Sequence, residues 1–125
     1  MENVVPVRKR LPEGTPSVVL NSADFGVAQT RRRCFAGEGW VANPSHTKDE
    51  WLGVIDVLPH LNELLEGKLS KPEKIRSLTI QETLILQGFN PDYDMTASNT
   101  QKARWTMIGN AVAPAVAKAV IEGIQ

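Results

Sequence analysis

The sequence predicts an α/β fold with an antiparallel hairpin and several helices. Three observations carry this. Two short stretches rich in strand formers, Ser17–Leu20 (SVVL) and Arg33–Gly37 (RCFAG), lie on either side of a turn-like loop. Two Thr-x-x-Glu segments, Thr47–Glu50 and Thr79–Glu82, have the spacing of helix-opening capping boxes, in which hydroxyl and carboxylate each bond the other's free backbone N–H. Near the C-terminus, AVAPAVAKAVIEGI is a run of small apolar residues suited to a closely packed helix.

Each element is taken in chain order. Met1–Val5 is short and mostly apolar, halts at Pro6, and reads as the end of a strand. Pro12, Glu13, Gly14 and Pro16 mark a turn. SVVL is β-branched and is predicted as a strand; Asn21–Gly26 is a loop, and Val27 begins the return to the second strand at Arg33–Gly37. Asn43–Ser45 is again loop. After the Thr47 box, Trp51, Val54, Ile55 and Leu58 recur at helical spacing until Pro59 breaks the pattern. Leu61, Leu64 and Leu65 predict a second short helical turn closed by Gly67, and residues 68–76 a basic loop. The Thr79 box opens a helix to about Gln87, with Gly88 as its stop. Asn90–Lys102 is polar and reads as loop. Met107–Gln125 is predicted as one last helix with Pro114 in its first turn and only Lys118 and Glu122, one turn apart, as a polar stripe.

The 125 residues, 42% hydrophobic and 22% charged, suit one soluble domain. No apolar run approaches the roughly 20 residues a bilayer crossing needs, and MENVVPVRKR has no apolar core of a secretory signal. Cys34 is the only cysteine, so no internal disulfide forms and a reducing cytoplasm is the expected setting. Fourteen basic residues balance fourteen acidic ones, so only local clusters can attract nucleic acid. Three exist: Arg8–Arg10, Arg31–Arg33, and the looser set Lys68, Lys71, Lys74 and Arg76. Any one of them alone is most simply a solvated surface. His46 and His60 have no metal-ligand spacing and read as ordinary polar residues.

In FGVAQTRRRCF the alternation of a strand would put Gln29, Arg31 and Arg33 on one face and Thr30, Arg32 and Cys34 on the other. A planar amide and two donor forks in a row suit phosphate oxygens or a base edge; charge that blocks aggregation at an exposed edge strand is the simpler alternative.

Four motifs, in order along the chain, change the balance. LNSADFGVAQTRRRCFAG resembles a segment of the DNA cytosine-5 methyltransferases in which Phe/Tyr-Gly-Val-Pro-Gln-x-Arg-x-Arg comes after a Leu-Asn loop; Gln29, Arg31 and Arg33 hold the Gln-x-Arg-x-Arg places, and Ala28 replaces the proline. RSLTIQETLILQGF resembles the family's Arg-x-Leu-Thr-x-x-Glu-x-x-x-Leu-Gln-Gly-Phe, matched at Arg76, Leu78, Thr79, Glu82, Leu86, Gln87, Gly88 and Phe89. MIGNAVAPAVA resembles the closing Ile-Gly-Asn-Ala/Ser-Val-x-Pro, and Glu2, Asn3 and Val4 match Glu-Asn-Val.

The resemblance implies the C-terminal half of a Rossmann-like methyltransferase domain, with a short target-recognition-like insert at residues 41–75. It implies methyl transfer from S-adenosylmethionine to carbon 5 of a cytosine flipped out of DNA. Glu2 would bond ring nitrogen 3, a role that a partly buried pocket favours. Arg31 and Arg33 would contact the cytidine or its flanking phosphates, with Gln29 steadying the loop and Arg32 solvated. Lys68, Lys71, Lys74 and Arg76 would touch phosphates. Asn110 and Ala111, placed at the start of the last helix, would hold the polar end of the cofactor near free backbone N–H groups; a plain helix N-cap explains Asn110 equally well. Thr79, Glu82 and Gln87 read as scaffold.

Two parts of the family pattern have no counterpart. The nucleophile is a cysteine after a proline, whereas Cys34 comes after Arg33 inside a predicted strand and reads as a small packing residue. The glycine-rich cofactor loop is lacking too, Gly37-Glu38-Gly39 being only a lone G-x-G. The expectation is therefore a split subunit completed by a second polypeptide, or a truncated product. Such a chain is inactive alone, and exposed apolar surface, on the last helix above all, favours self-association. The alternatives are a non-catalytic DNA-binding or regulatory module descended from the enzyme, and a protein-interaction domain.

Overall fold

The computed structural model describes residues 1–62 and 77–125. The helical turn expected around Leu64 and Leu65, the basic loop, and with them Lys68, Lys71, Lys74 and Arg76, lie outside the described residues.

The fold is mixed α/β around a small antiparallel sheet. Strands β1 (Glu2–Val4), β2 (Ser17–Asn21) and β3 (Arg32–Ala36) stand in the order β1-β3-β2. Glu2 faces Phe35 and Val4 faces Arg33 across the first pair, while Val18 faces Phe35 and Leu20 faces Arg33 across the second. Directly opposed residues share a face, so Glu2, Arg33, Phe35 and Leu20 all lie on one side of the sheet. The short strand expected at the N-terminus thus becomes an edge of the sheet, and Pro6 then bends the chain into a 3-10 turn over Val5–Arg10. Cys34 is fully buried at the centre of β3, as a packing residue should be.

Among the described residues the α-helices beyond the sheet are α1 (Val54–Val57), α2 (Ile80–Gln87), α3 (Gln101–Asn110) and α4 (Pro114–Glu122). Helix α2 has the expected bounds. Thr79 caps it reciprocally with Glu82, and Gly88 stops it in the left-handed region at φ 85°.

Two expectations about helices are corrected. The helix foreseen after Thr47 is a single 3-10 turn, Lys48–Glu50, after which Trp51 is extended and a separate four-residue α1 begins at Gly53. The Trp51 indole N–H donates to Asp24 Oδ1 at 2.9 Å, which pulls the chain out of helical register, and the Gly53 N–H finds its own acceptor in Asp56 at 2.6 Å. The single helix foreseen over Met107–Gln125 is two helices. Thr100 accepts from the Ala103 N–H and starts α3 inside what reads as loop, and the chain turns at Ala111–Ala113 before Pro114 begins α4. Proline is comfortable at a first helical position, and it drives the residue before it out of the helical region. A helix running through Pro114 from Met107 would have broken both rules.

Helix α4 lays Val116 and the preceding Ala113 against Leu20, Phe35, Phe25 and Val27 on the sheet side, with Trp40 edge-on to Phe35. A smaller cluster joins α2 to α3 through Leu84, Met95 and Ile108. Helix α4 stops at Glu122 rather than running to the last residue. Beyond it the chain pairs with residues 39–41, Val41 N–H to Gly123 O at 3.0 Å and Gln125 N–H to Gly39 O at 2.8 Å. A Cβ on Gly123 would overlap the Val41 carbonyl oxygen, so only glycine fits there. Ile121 on α4 and Ile124 in the paired segment beyond it remain 66% and 65% exposed, without apolar cover from the described residues. No helix of the described residues is long and apolar enough to cross a membrane.

Candidate nucleic-acid and base-binding site

The site is built where β1, the loop before β3, and the chain between α3 and α4 meet. Glu2 lies on edge strand β1 and Arg33 on central strand β3, both facing α4. Their ion pair measures 3.3 Å from Oε1 to Nε. Arg31 stands one residue before β3. The strand alternation expected for Gln29, Arg31 and Arg33 is therefore corrected: only Arg33 belongs to the strand. The reason is local hydrogen bonding. Asn21 Oδ1 accepts from the Arg31 N–H at 2.9 Å, and the Gln29 N–H turns back onto Val27 O at 2.7 Å, so the backbone is bent before the ladder begins.

Glu2, Arg31 and Arg33 nevertheless line one crevice, floored by Leu20, Phe35, Ala113 and Val116. Its volume is about 10 Å³, space for about one water. Two of its polar atoms, Glu2 Oε1 and Arg31 Nε, are buried without a hydrogen-bond partner among the described residues; the Glu2–Arg33 contact is close enough for an ion pair but is not aligned as a hydrogen bond. Burial lowers the Arg31 pKa from its ordinary value, and the neighbouring Arg33 charge lowers it further, while Glu2 opposes both. An arginine stays charged under such shifts. Arg32 is exposed on the other face, as expected.

The remaining candidates divide. Arg31 directs Nη2 at two main-chain carbonyls, Gly109 O at 2.6 Å and Ala111 O at 3.2 Å. Gln29 does not face the crevice: its Nε2 donates to Leu86 O at 3.0 Å and to the side-chain oxygen of Gln87. Gln87 is buried, and its own Nε2 donates to Ala111 O at 2.8 Å. Asn110 and Ala111 do not start the last helix. Asn110 is the final residue of α3 and is exposed, and Ala111 is its C-cap, in an elbow that leads into α4. Pro114, the first residue of α4, has no N–H, so the free N–H groups at that helix start lie beyond the elbow, at Ala113 and Ala115. Outside its own helix, nothing among the described residues stands within 4 Å of where a Gly109 Cβ would be, so the surface at Gly109 is open.

Reading the sequence missed the part played by Gln87 and the carbonyl of Gly109. A glutamine closing the apolar run LIL on α2 was the available signal, because a buried amide must find partners. It also missed that His60 Nε2 lies 2.8 Å from Glu82 Oε1, so that His60 has a structural partner. His46 covers Gly26 and bonds Ser45 Oγ at 2.8 Å. A larger cleft of about 960 Å³ between α2, residues 91–96 and α3 shares no residue with the crevice. No group of three potential metal ligands occurs among the described residues.

Comparison with known proteins decides the family. The model of the C-5 cytosine-specific DNA methylases matches residues 36–125. The chain belongs to that family. It is also 37% identical over 112 residues, 88% of its length, to the DNA (cytosine-5)-methyltransferase CMT2 of Arabidopsis thaliana. The chain spans about 7% of the length of that relative. No solved structure matches. The family match takes in α1 to α4 and the elbow, whereas Glu2, Gln29, Arg31 and Arg33 precede it in sequence.

Proposed function

We propose that this chain forms the base-facing and cofactor-edge part of a DNA cytosine-5 methyltransferase. The observation that carries the reading is the crevice in which Glu2, Arg31 and Arg33 converge and in which Glu2 Oε1 and Arg31 Nε are buried without hydrogen-bond partners. Buried polar atoms left unbonded are costly, and a single water in the crevice would serve them. The convergence of one carboxylate and two guanidinium groups suits a polar ligand at its mouth. With room inside for about one water, a flipped pyrimidine lies across the mouth rather than within. There Glu2 bonds ring nitrogen 3, holding a proton at that nitrogen as carbon 6 is attacked. Arg33 orients the Glu2 carboxylate and faces the base or its phosphate. The sheet is one edge of a larger Rossmann-like domain.

Cys34, fully buried in β3, is no nucleophile; the attacking thiolate comes from polypeptide outside these residues. The exposed Asn110 amide and the open space above Gly109 fit the polar end of S-adenosylmethionine. When bound, that cofactor supplies the methyl group. Lys71, Lys74 and Arg76 add phosphate contacts in this reading. Exposed Ile121 on α4 and Ile124 just beyond the helix suit a second polypeptide or a second copy.

The test mixes the chain with a polypeptide carrying the family's Pro-Cys half and measures labelled methyl transfer from S-adenosylmethionine to duplex DNA. Transfer is expected from the mixture and not from the chain alone. Glu2→Gln should lower the rate about 100-fold or more, as loss of a positioned acid does. A mixture as active with Glu2→Gln as with Glu2 would refute the assignment. Salt-sensitive DNA binding without any transfer would favour a regulatory module instead.

A further inference from the structure

We propose that Gln87 and Arg31 together are positioning residues for the α3–α4 elbow, and that through it Gln87 sets the affinity for the cofactor alone, whereas Arg31 serves cofactor and DNA together. The inference rests on the functional reading above and deepens it.

Val112 and Ala113 anchor the far end of the elbow in the core, and its Gly109–Ala111 end is held by hydrogen bonds. Between Asn110 and Pro114 the chain is neither helix nor strand, and Asn110 and Gly109 are exposed. The Ala111 N–H closes α3 onto Met107 O and Ile108 O. The Ala111 carbonyl points back into the molecule, where it accepts from both Gln87 Nε2 at 2.8 Å and Arg31 Nη2 at 3.2 Å. The same Arg31 nitrogen takes the Gly109 carbonyl at 2.6 Å. Carbonyls on both sides of Asn110 are thus fixed by side chains from elsewhere in the fold. Gln87 is itself oriented: its side-chain oxygen accepts from Gln29, whose amide also donates to Leu86 O. The chain of bonds runs from the loop before β3, through the end of α2, to the elbow. Arg31 also lines the Glu2 crevice, so its guanidinium bonds the elbow carbonyls and borders the base end as well.

Gln87 and Arg31 differ in what they touch. Gln87 is buried, lies outside the crevice and reaches only protein atoms. Its removal loosens the elbow and leaves the base end intact. Removal of Arg31 loosens both ends. The two variants therefore separate cofactor from DNA effects in a way that general loss of stability cannot.

Two measurements test this. In the chain alone, hydrogen exchange at the Ala111 and Val112 amides is compared between wild type and Gln87→Met, which keeps size and removes the donor. Exchange there should speed up while amides of β3 keep their protection; unchanged exchange at the elbow overturns the clamp. In the complemented enzyme, Gln87→Met should raise KM for S-adenosylmethionine about ten-fold with KM for DNA unchanged. Arg31→Met should raise both, and Arg31→Lys, which restores one donor, should recover part of the cofactor KM. Equal rises for cofactor and DNA in Gln87→Met overturn the selective role. If the wild-type mixture transfers no methyl group, the functional reading fails and the cofactor role with it, while the exchange experiment still decides whether the clamp exists.

Discussion

The chain contains the same capping pattern twice, and the two copies come to different ends. The Thr47 and Thr79 N–H groups each donate to the carboxylate three residues on, both at 2.8 Å. Only Thr79 Oγ1 accepts the return bond, from the Glu82 N–H at 3.1 Å; the Thr47 hydroxyl donates to Glu50 Oε2 instead. The second opens an eight-residue helix, and the first opens one 3-10 turn. A cap supplies partners for free N–H groups; it does not supply a reason to continue. Past Thr79 the chain has Ile80 and Leu84 one turn apart to bury against Met95 and Ile108. Past Thr47 it has Trp51 bonded away to Asp24 and an exposed Gly53. The glutamates record the difference: Glu82 is buried beside His60, whereas Glu50 is fully exposed.

The largest way to break this contrast is to remove the apolar anchor. Leu84 is 2% exposed, and Leu84→Ala should destabilise the fold by about 2–5 kcal/mol in denaturant unfolding, as buried Leu truncations do. Val54, at 39% exposure the first residue of α1, should lose about 0.5 kcal/mol or less as Val54→Ala. Comparable losses at both positions would mean that packing does not separate the two segments.

The next effect is that of the caps themselves. Thr79→Ala removes the acceptor of the Glu82 N–H at a functioning helix start and should cost about 1 kcal/mol in the same measurement. Thr47→Ala, at an exposed single turn, should cost only a few tenths. If Thr47→Ala costs as much as Thr79→Ala, the first box holds more than its own turn.

The same logic sorts what could be read from the sequence. Helix α2 was legible in full, because its cap, its Leu84 anchor and its Gly88 stop agree. The antiparallel β2–β3 pair was legible from SVVL and RCFAG. The division between α3 and α4 was also written in the chain, in Pro114 and Thr100, but the apolar run AVAPAVAKAV hid it: composition pointed to one helix where the proline rule demands two. The site was harder. That Glu2 and Arg33 meet comes from pairing an N-terminal strand with β3, which the motif order suggests and the register supplies. That Arg31 turns from the strand face to the elbow carbonyls depends on Asn21 capping its N–H, a contact with no periodic signature. The Gln29–Gln87 contact joins residues 58 apart in sequence and had no signal beyond their polarity.

The smallest effect is the most specific to the exposed box. The Thr47 backbone N–H and then its hydroxyl, each hydrogen-bonded to the carboxylate, hold Glu50 below its ordinary pKa of 4.5, with a lesser contribution from the nearby His46. A carboxylate depressed in the folded state contributes stability that is fully present above the ordinary value and is lost as pH falls through the depressed one. The turn should therefore loosen in acid below 4.5, while α2, held by Leu84, persists. Because Glu50 is fully exposed, this weakening should be visible locally and not in the global unfolding curve. An NMR titration of the Glu50 carboxyl carbon reads it directly. Thr47→Ala should move the midpoint up toward 4.5, since it removes the hydroxyl donor and leaves only the backbone one. A midpoint that stays put would show that the hydroxyl bond is not formed in solution, and that the first box rests on the Thr47 backbone N–H alone.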